Sequence, residues 1–335
     1  MSRLNLNDEY CGVILAAGHG TRMQPFSDRY PKPLLPVCDK PQIAHQIEIM
    51  RGLGIRDIYV LVGHRGYQLA AALGDGSLLD VHIRYVEQKE MLGIAHAVGQ
   101  LEAHIQRPFL LFLGDIYLVP DGMERMFSMY EEQGGGAILA AREDTPQNVR
   151  RNFAIYMEAD GRVTRVVEKP RHVPNRLKGV GAYLFGLSVF DAIRRTPRTA
   201  LRDEYELTDA IQVMIDQGDM VRAAEVIRED INLTNPGDLL RSNLLHAQTY
   251  GFAAKQGYTH PDAKIQNSVI GANVTIQNAI SIIDSVIFDG TDVTAKTRLE
   301  QVIVTPDMLV DCRYFLDSHA SILGRVSSGR AFTQN

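Results

Sequence analysis

The chain has little cysteine: Cys11, Cys38 and Cys312 are the three thiols in 335 residues. They lie far apart, are odd in number and show no CxxC or Cys/His spacing, which argues against a disulfide framework and against a zinc site. An excess of positive charge is also missing; the formal net charge is -5. A protein that coats nucleic acid needs a basic stripe, so that class is set aside, while a small basic pocket for phosphates stays open. No apolar run approaches the roughly 18 residues of a membrane helix. The first ten residues, MSRLNLNDEY, hold no apolar segment of the signal-peptide kind. The expectation is a protein with no membrane and no nucleic-acid partner, in a reducing cytoplasm. What is present is ordinary for a globular protein, 45% hydrophobic and 22% charged residues. The length implies two domains with a core that needs no staples.

In the first half, short apolar runs alternate with amphipathic stretches. Strands are expected at 11–17 (CGVILAA), 57–62 (DIYVLV), 81–86 (VHIRYV) and 109–113 (FLLFL). Helices are expected at 41–53, 66–73 and 94–105. Strands separated by helices imply βαβ units, hence an α/β, Rossmann-like, mainly parallel sheet. Ligands of such sheets bind beyond the carboxyl ends of the strands. That directs attention to 18–23, 88–93 and 114–115.

From about Pro261 the texture changes. Ile270, Ile276, Ile282 and Phe288 recur at six-residue spacing, with Val274, Ile280 and Val286 as a second file. The segments NSVIG (267–271), DSVIF (284–288) and EQVIV (300–304) follow one another at 17 and then 16 residues. Six-residue strands, three to a coil, describe a short left-handed parallel β-helix, each coil burying its apolar rung against its neighbours. The expected division is 1–255 for the α/β domain, 256–326 for the β-helix and 327–335 for a tail.

The main chemical signal is LAAGHGTRM (15–23) followed by PKPLLP (31–36). Gly18 and Gly20 allow backbone to approach a phosphate chain closely. Arg22 supplies a bidentate cation and Lys32 a point charge. Two familiar phosphate motifs fail here. A P-loop needs Gly-Lys-Ser/Thr, whereas Thr21 and Arg22 follow Gly20. A dinucleotide fingerprint needs a third glycine and an immediate helix; Met23 holds that place, and the proline-rich stretch after it cannot be a continuous helix.

These motifs resemble the signature of the sugar-1-phosphate nucleotidyltransferases. Further matches follow in the family's order: EQ (87–88), LGIAHAV (92–98), LGD (113–115), VEKP (167–170), VGAYLF (180–185), EYELTDAI (204–211) and NPGDLL (235–240). The resemblance spans roughly residues 10–250, and the β-helix is similar to the C-terminal domain of long-form glucose-1-phosphate thymidylyltransferases. It implies in-line attack of a sugar 1-phosphate on the α-phosphorus of a nucleoside triphosphate (NTP), releasing pyrophosphate. A phosphate monoester has a second pKa near 6, so the nucleophile is already an anion and no general base is required.

The resemblance also implies the roles. Arg22, Lys32 and Lys169 carry the catalytic charge. Leu15, Ala17, Gly18, Gly20, Thr21, Gln88 and Gly93 bind the nucleotide. Glu168 and Lys169 hold the sugar and its phosphate, and Gly181 and Tyr183 line the sugar pocket. Mg²⁺ is the implied cofactor, held by Asp115 and by a second oxygen from DINLTNP (230–236), where Asn232 stands at the family's aspartate; Asp230 is the alternative. An amide oxygen ligates Mg²⁺ more weakly than a carboxylate. Ala154 stands where the family places a glycine against the sugar, and Ile116 where asparagine is common.

The base is expected to be thymine or uracil, which differ by one methyl, a discrimination worth about 1–3 kcal/mol; GTP or ATP are lesser competitors. Glucose 1-phosphate is the expected sugar. Two rival readings remain: a bifunctional nucleotidyl/acyltransferase, and a non-catalytic regulator that binds sugar nucleotides. No histidine lies between His260 and His319 to act as an acyl-transfer base. The β-helix is therefore expected to serve oligomerisation, as a homo-oligomer, or regulation.

Overall fold

The computed structural model describes residues 6–317, apart from 7, 19, 64, 174, 201–202 and 254–256. The last stretch assigned to the β-helix from sequence, 318–326, and the tail 327–335 lie outside the described residues. Two compact units emerge. The first comprises 42–232 with the N-terminal segment through Gly20 and the stretch 30–34. The second holds 21–29, 35–41 and everything from Leu233 onward. The division expected at 255 and this one differ by the segment 233–255 and by two short excursions beside Lys32.

In chain order the elements are β1 (Cys11–Ala16), the two-residue strands β2 (Pro36–Val37) and β3 (Lys40–Pro41), α1 (Gln42–Gly52), β4 (Asp57–Val62), α2 (Gly66–Leu73), β5 (His82–Glu87), α3 (Ile94–Gly99), β6 (Phe109–Leu113) and β7 (Ile116–Pro120). There follow α4 (Glu124–Gln133), β8 (Ala137–Glu143), α5 (Pro146–Arg151), β9 (Phe153–Met157), β10 (Val163–Glu168), β11 (Leu177–Phe185), α6 (Ser188–Arg195), α7 (Leu207–Asp216), β12 (Val221–Glu225) and β13 (Ile227–Asn232). The helix expected over 94–105 stops at Gly99; turns replace it through His104.

The main sheet runs β10-β9-β11-β6-β1-β4-β5, with β8 on β11 and β12 on β8. Strands β6, β1, β4 and β5 are mutually parallel. Strand β11 runs antiparallel to β6 and β8. The parallel centre is read from CGVILA and DIYVLV because both faces are buried, which makes apolar runs near-continuous. On β1, Ile14 belongs to one core layer with residues of α1 and α2, and Val13 to the opposite layer with residues of α3, α6 and α7. Strands β7 and β13 form their own antiparallel ribbon.

The second unit, which already holds β2 and β3, continues from Leu233 with α8 (Pro236–Tyr250). Its N-terminus is a capping box: the Asn235 side chain accepts from the Asp238 amide, and Asp238 accepts from the Asn235 amide. With Pro236 at the first turn, this is the structural meaning of NPGDLL. Next come β14 (Gly257–Thr259), β15 (Lys264–Gln266), β16 (Val269–Ile270), β17 (Val274–Ile276), β18 (Ser281–Ile283), β19 (Val286–Ile287), β20 (Asp292–Val293), β21 (Leu299–Glu300), β22 (Val302–Thr305), β23 (Met308–Asp311) and α9 (Arg313–Asp317). They stack in three parallel ladders, β14-β17-β20, β15-β18-β21 and β16-β19-β22, consistent with the left-handed β-helix; β23 closes the third ladder as an antiparallel hairpin.

The coil repeat is 17 residues throughout: Val269 pairs with Val286 and Val286 with Ile303. The 16-residue step expected for the third coil is therefore 17, since Gln301, not Glu300, shares the positive φ of Asn267 and Asp284. A 17-residue coil is one short of three sixes, so the six-residue file slips at its fourth member. Ile270, Ile276 and Ile282 are core, Ile287 takes the next place, and Phe288 is half-buried outside the coil.

Candidate active site

The carboxyl ends of β1, β4, β5 and β6 fall in register at one edge of the sheet: Leu15 pairs with Leu113, Ala16 with Val62, and Val62 with Glu87. The expected nucleotide residues of the first unit, Leu15, Ala17, Gly18, Gly20 and Gln88, follow from these ends. Leu15 also accepts the Gly114 amide at 2.9 Å, which ties β1 to the turn carrying Asp115. Gly20 lies against the aliphatic chain of Lys32.

Lys32 is brought to Asp115. Its ammonium nitrogen is 2.7 Å from Asp115 Oδ2, with the lysine side chain 10% exposed and the carboxylate 40% exposed. The two were expected to serve phosphate and metal separately; the structure makes them one ion pair. The Asp115 turn is braced from beneath by α1. Gln46 donates to the Leu113 and Ile116 carbonyls, both at 2.8 Å, and Gln42 donates to Ile116 at 2.6 Å. Both glutamines are buried. The sequence carries a signal for them, two amides one turn apart on a helix whose neighbours Ile43 and Ile47 are core, but no local rule ties them to the LGD segment.

Of the two candidates for a second metal oxygen, Asn232 is exposed and pairs with Ile116, the residue after Asp115. Asp230 is enclosed instead: its side chain is 4% exposed, with Lys178 Nζ at 3.0 Å and Arg142 at 3.3 Å. Lys178 also meets Asp144 at 2.9 Å, and Arg142 meets Glu229 at 2.5 Å. This interior network joins β8, β11 and β13, and nothing local in the sequence announces it. Burial raises the Asp144 carboxyl, but the Lys178 ammonium and hydrogen bonds from Asn148 and the Thr145 amide more than offset this and hold it below the ordinary range.

Gln88 is buried, with its amide nitrogen 3.5 Å from His96 Nδ1. Gly93 has φ +106°, and a Cβ there would stand 2.5 Å from the Tyr205 carbonyl oxygen. Tyr205 exchanges backbone hydrogen bonds with Leu92 and Ala95 and stacks its ring on His96. It is a wall residue that the sequence motif around Glu204 contained without identifying.

On the other side of β6, Glu168 ends β10 and forms an ion pair with Lys169 at 3.2 Å. Lys169 has φ +42° and donates its amide to the Asn152 carbonyl. Gly181 has φ +73° and abuts Ile116 and Leu113, which places β11 beside the Asp115 turn. Tyr183 departs from expectation. It is 3% exposed, its ring stacked between Phe153 and Phe185 within the core. Its ring belongs to this aromatic row in the core. Burial and the nearby Glu168 carboxylate push its hydroxyl far above the ordinary value. Ala154 is buried between Val167 and Lys178. Thr21 and Arg22 are exposed on a short 3₁₀ turn, Thr21–Met23, of the second unit.

Among the described residues, no group of three or more His, Cys, Asp or Glu side chains gathers in metal-holding geometry. One carboxylate and one amide oxygen suit an ion that takes its remaining ligands from phosphates and water; Mg²⁺ is of that kind.

The sheet is of the α/β, parallel-centred kind, and its carboxyl edge carries the Lys32–Asp115 pair. Residues 11–231 match the family model described as nucleotidyl transferase, and 252–314 the model described as GlmU-like, C-terminal hexapeptide. The chain belongs to the sugar-1-phosphate nucleotidyltransferase family. It is similar to the low-salt glycan biosynthesis nucleotidyltransferase Agl11 of Haloferax volcanii, with 33% identity over 77% of this chain and 71% of that one. It is also similar to a glucose-1-phosphate thymidylyltransferase of Streptomyces griseus, with 29% identity over 90% and 82%. A crystal structure of a putative glucose-1-phosphate thymidylyltransferase from Bacillus anthracis, in complex with a sucrose, superposes with a TM-score of 0.65 at 25% identity. It covers 73% of this chain and 97% of that one.

Proposed function

We propose that this nucleotidyltransferase condenses glucose 1-phosphate with dTTP or UTP, giving the nucleotide sugar and pyrophosphate. The observation that carries the reading is the Lys32–Asp115 pair at the shared edge of β6 and β1. There a cation and a carboxylate stand between strands bearing nucleotide-type loops and strands bearing the Glu168–Lys169 pair.

Asp115 and Asn232 are the oxygens that would hold Mg²⁺, which when bound supplies neutralisation of phosphate charge. Lys32 and Arg22 neutralise the triphosphate, and Lys169 orients the sugar phosphate. Gln88 reads the base, while Gly93 seats the base against the Leu92–Tyr205 wall. The sugar phosphate attacks as an anion, so alignment and charge stabilisation account for the rate without a proton-abstracting group. With Tyr183 in the core, the sugar side rests on Glu168, Lys169, Gly181 and the surface near Ala154. Among the described residues no helix is long and apolar enough to cross a membrane. A cytoplasmic homo-oligomer is part of the same proposal.

The test pairs glucose 1-phosphate, mannose 1-phosphate and N-acetylglucosamine 1-phosphate with dTTP, UTP, GTP, CTP and ATP and measures Mg²⁺-dependent pyrophosphate release. Turnover is expected for glucose 1-phosphate with dTTP or UTP. Silence across the grid with nucleotide binding retained overturns the catalytic reading.

A further inference from the structure

The stretch 21–29 contains Arg22 and is packed within the same compact unit as the β-helix. Phe26 is its anchor, 2% exposed, with its ring centroid 6.2 Å from that of Phe288. Phe288 is the aromatic that the 17-residue coil displaces from the β-helix core. At the end of the stretch, Arg29 forms an ion pair with Asp307. Asp307 lies in the two-residue turn between β22 and β23, and Thr305 Oγ1 donates to its carboxylate at 2.8 Å. The stretch 35–41, on the far side of Lys32 along the chain, is held by α8. Buried Asn243 accepts the Cys38 amide at 2.7 Å and donates to the Pro36 carbonyl at 3.0 Å.

We propose that Phe288 and Asp307 of the β-helix are positioning residues for Arg22 within the second unit, so that they set how well this guanidinium is held for a triphosphate. The proposal rests on reading Arg22 as a triphosphate cation. Arg22 sits on an exposed turn, and a mobile guanidinium aligns poorly with a phosphate. Seating Phe26 against Phe288 fixes the turn at one point, and the Arg29–Asp307 pair fixes it at a second. The pair is half exposed and weak alone; its use is registration of a segment that the aromatic contact already holds. With a 17-residue repeat, Ile287 takes the core place and Phe288 stands outside it, half-buried, where Phe26 meets it.

The experiment uses the full chain. In Phe288→Ala, amide hydrogen exchange across 21–29 is expected to quicken, and the KM for NTP and the dissociation constant for inorganic tripolyphosphate to rise about tenfold, in the range of ordinary site-to-site coupling. The KM for sugar 1-phosphate should stay within about twofold, a split that general destabilisation would not produce. Phe288→Leu should restore most of the affinity. Asp307→Arg should weaken tripolyphosphate binding, and Asp307→Arg with Arg29→Asp should recover it. Unchanged exchange across 21–29 in Phe288→Ala overturns the proposal, as does faster exchange with tripolyphosphate affinity intact. A wild-type chain silent with every substrate pair, whose tripolyphosphate affinity still falls in Phe288→Ala, overturns the catalytic reading and upholds the positioning role.

Discussion

Lys32 and Asp115 are 83 residues apart in sequence and 2.7 Å apart in space, a buried ammonium against a carboxylate that is still solvent-accessible. Replacing Asp115 by Asn keeps the shape and removes the charge. Turnover in Asp115→Asn is expected to fall by about 10²- to 10³-fold, as for other preorganised electrostatic groups. Steady-state pyrophosphate release checks this, and nucleotide affinity measured alongside should fall far less.

Gln46 donates one amide group to two carbonyls flanking the Asp115 turn. Gln46→Leu leaves those buried acceptors without that donor and is expected to cost about 1–3 kcal/mol. Gln46→Glu should be worse, because an ionised carboxylate would face the same carbonyl oxygens. Urea unfolding gives the stability order, and kcat should follow it.

The Lys178 ammonium is shared between Asp144 and Asp230 inside the first unit. Lys178→Met leaves a buried surplus of negative charge and should destabilise by about 3–5 kcal/mol. The pH dependence has a definite sign. Asp144 has a folded-state pKa below its unfolded value of about 3.9, so its stabilisation is present above that pH and lost as pH falls through the folded value. Stability from urea titrations should therefore decline below about pH 4, and Asp144→Asn should flatten that decline.

Gly93 is held at φ +106° with the Tyr205 backbone where a side chain would begin. Gly93→Ala forces Leu92 and Tyr205 apart at a strain of about 1–3 kcal/mol. A raised KM for NTP with an unchanged KM for sugar 1-phosphate is the expected pattern, read from initial rates at fixed co-substrate.

All three thiols are buried, and burial pushes Cys11 up to about 11 and Cys38 and Cys312 to about 12. The native protein should resist alkylation by iodoacetamide at pH 8 and take up three equivalents on unfolding, counted by mass spectrometry.

The fold was legible where one local period governs the chain. The buried strands at 57–62 and 109–113 read directly from DIYVLV and FLLFL, and the β-helix from its repeated Val-Ile pairs. Phe288 was misassigned because a six-residue period carries no information about a coil one residue short. The depth of Tyr183 was not legible, because a motif gives the order of residues along β11 but not which of them meet Phe153 and Phe185. The Lys178 network and the glutamine brace escaped for a further reason: Lys178 meets Asp230 across 52 residues and Gln46 meets Leu113 across 67. Strand pairing in the first case and helix packing in the second bring them together.

The order β10-β9-β11-β6-β1-β4-β5 hangs the two groups of candidate substrate residues from opposite flanks of one strand, with Asp115 at the midline. On the proposed reading, base and hexose are then served from different strands. The two flanks meet at Tyr205, which follows β11 yet closes the wall beside Gly93; a change of loop on one flank is expected to be felt on the other through that residue.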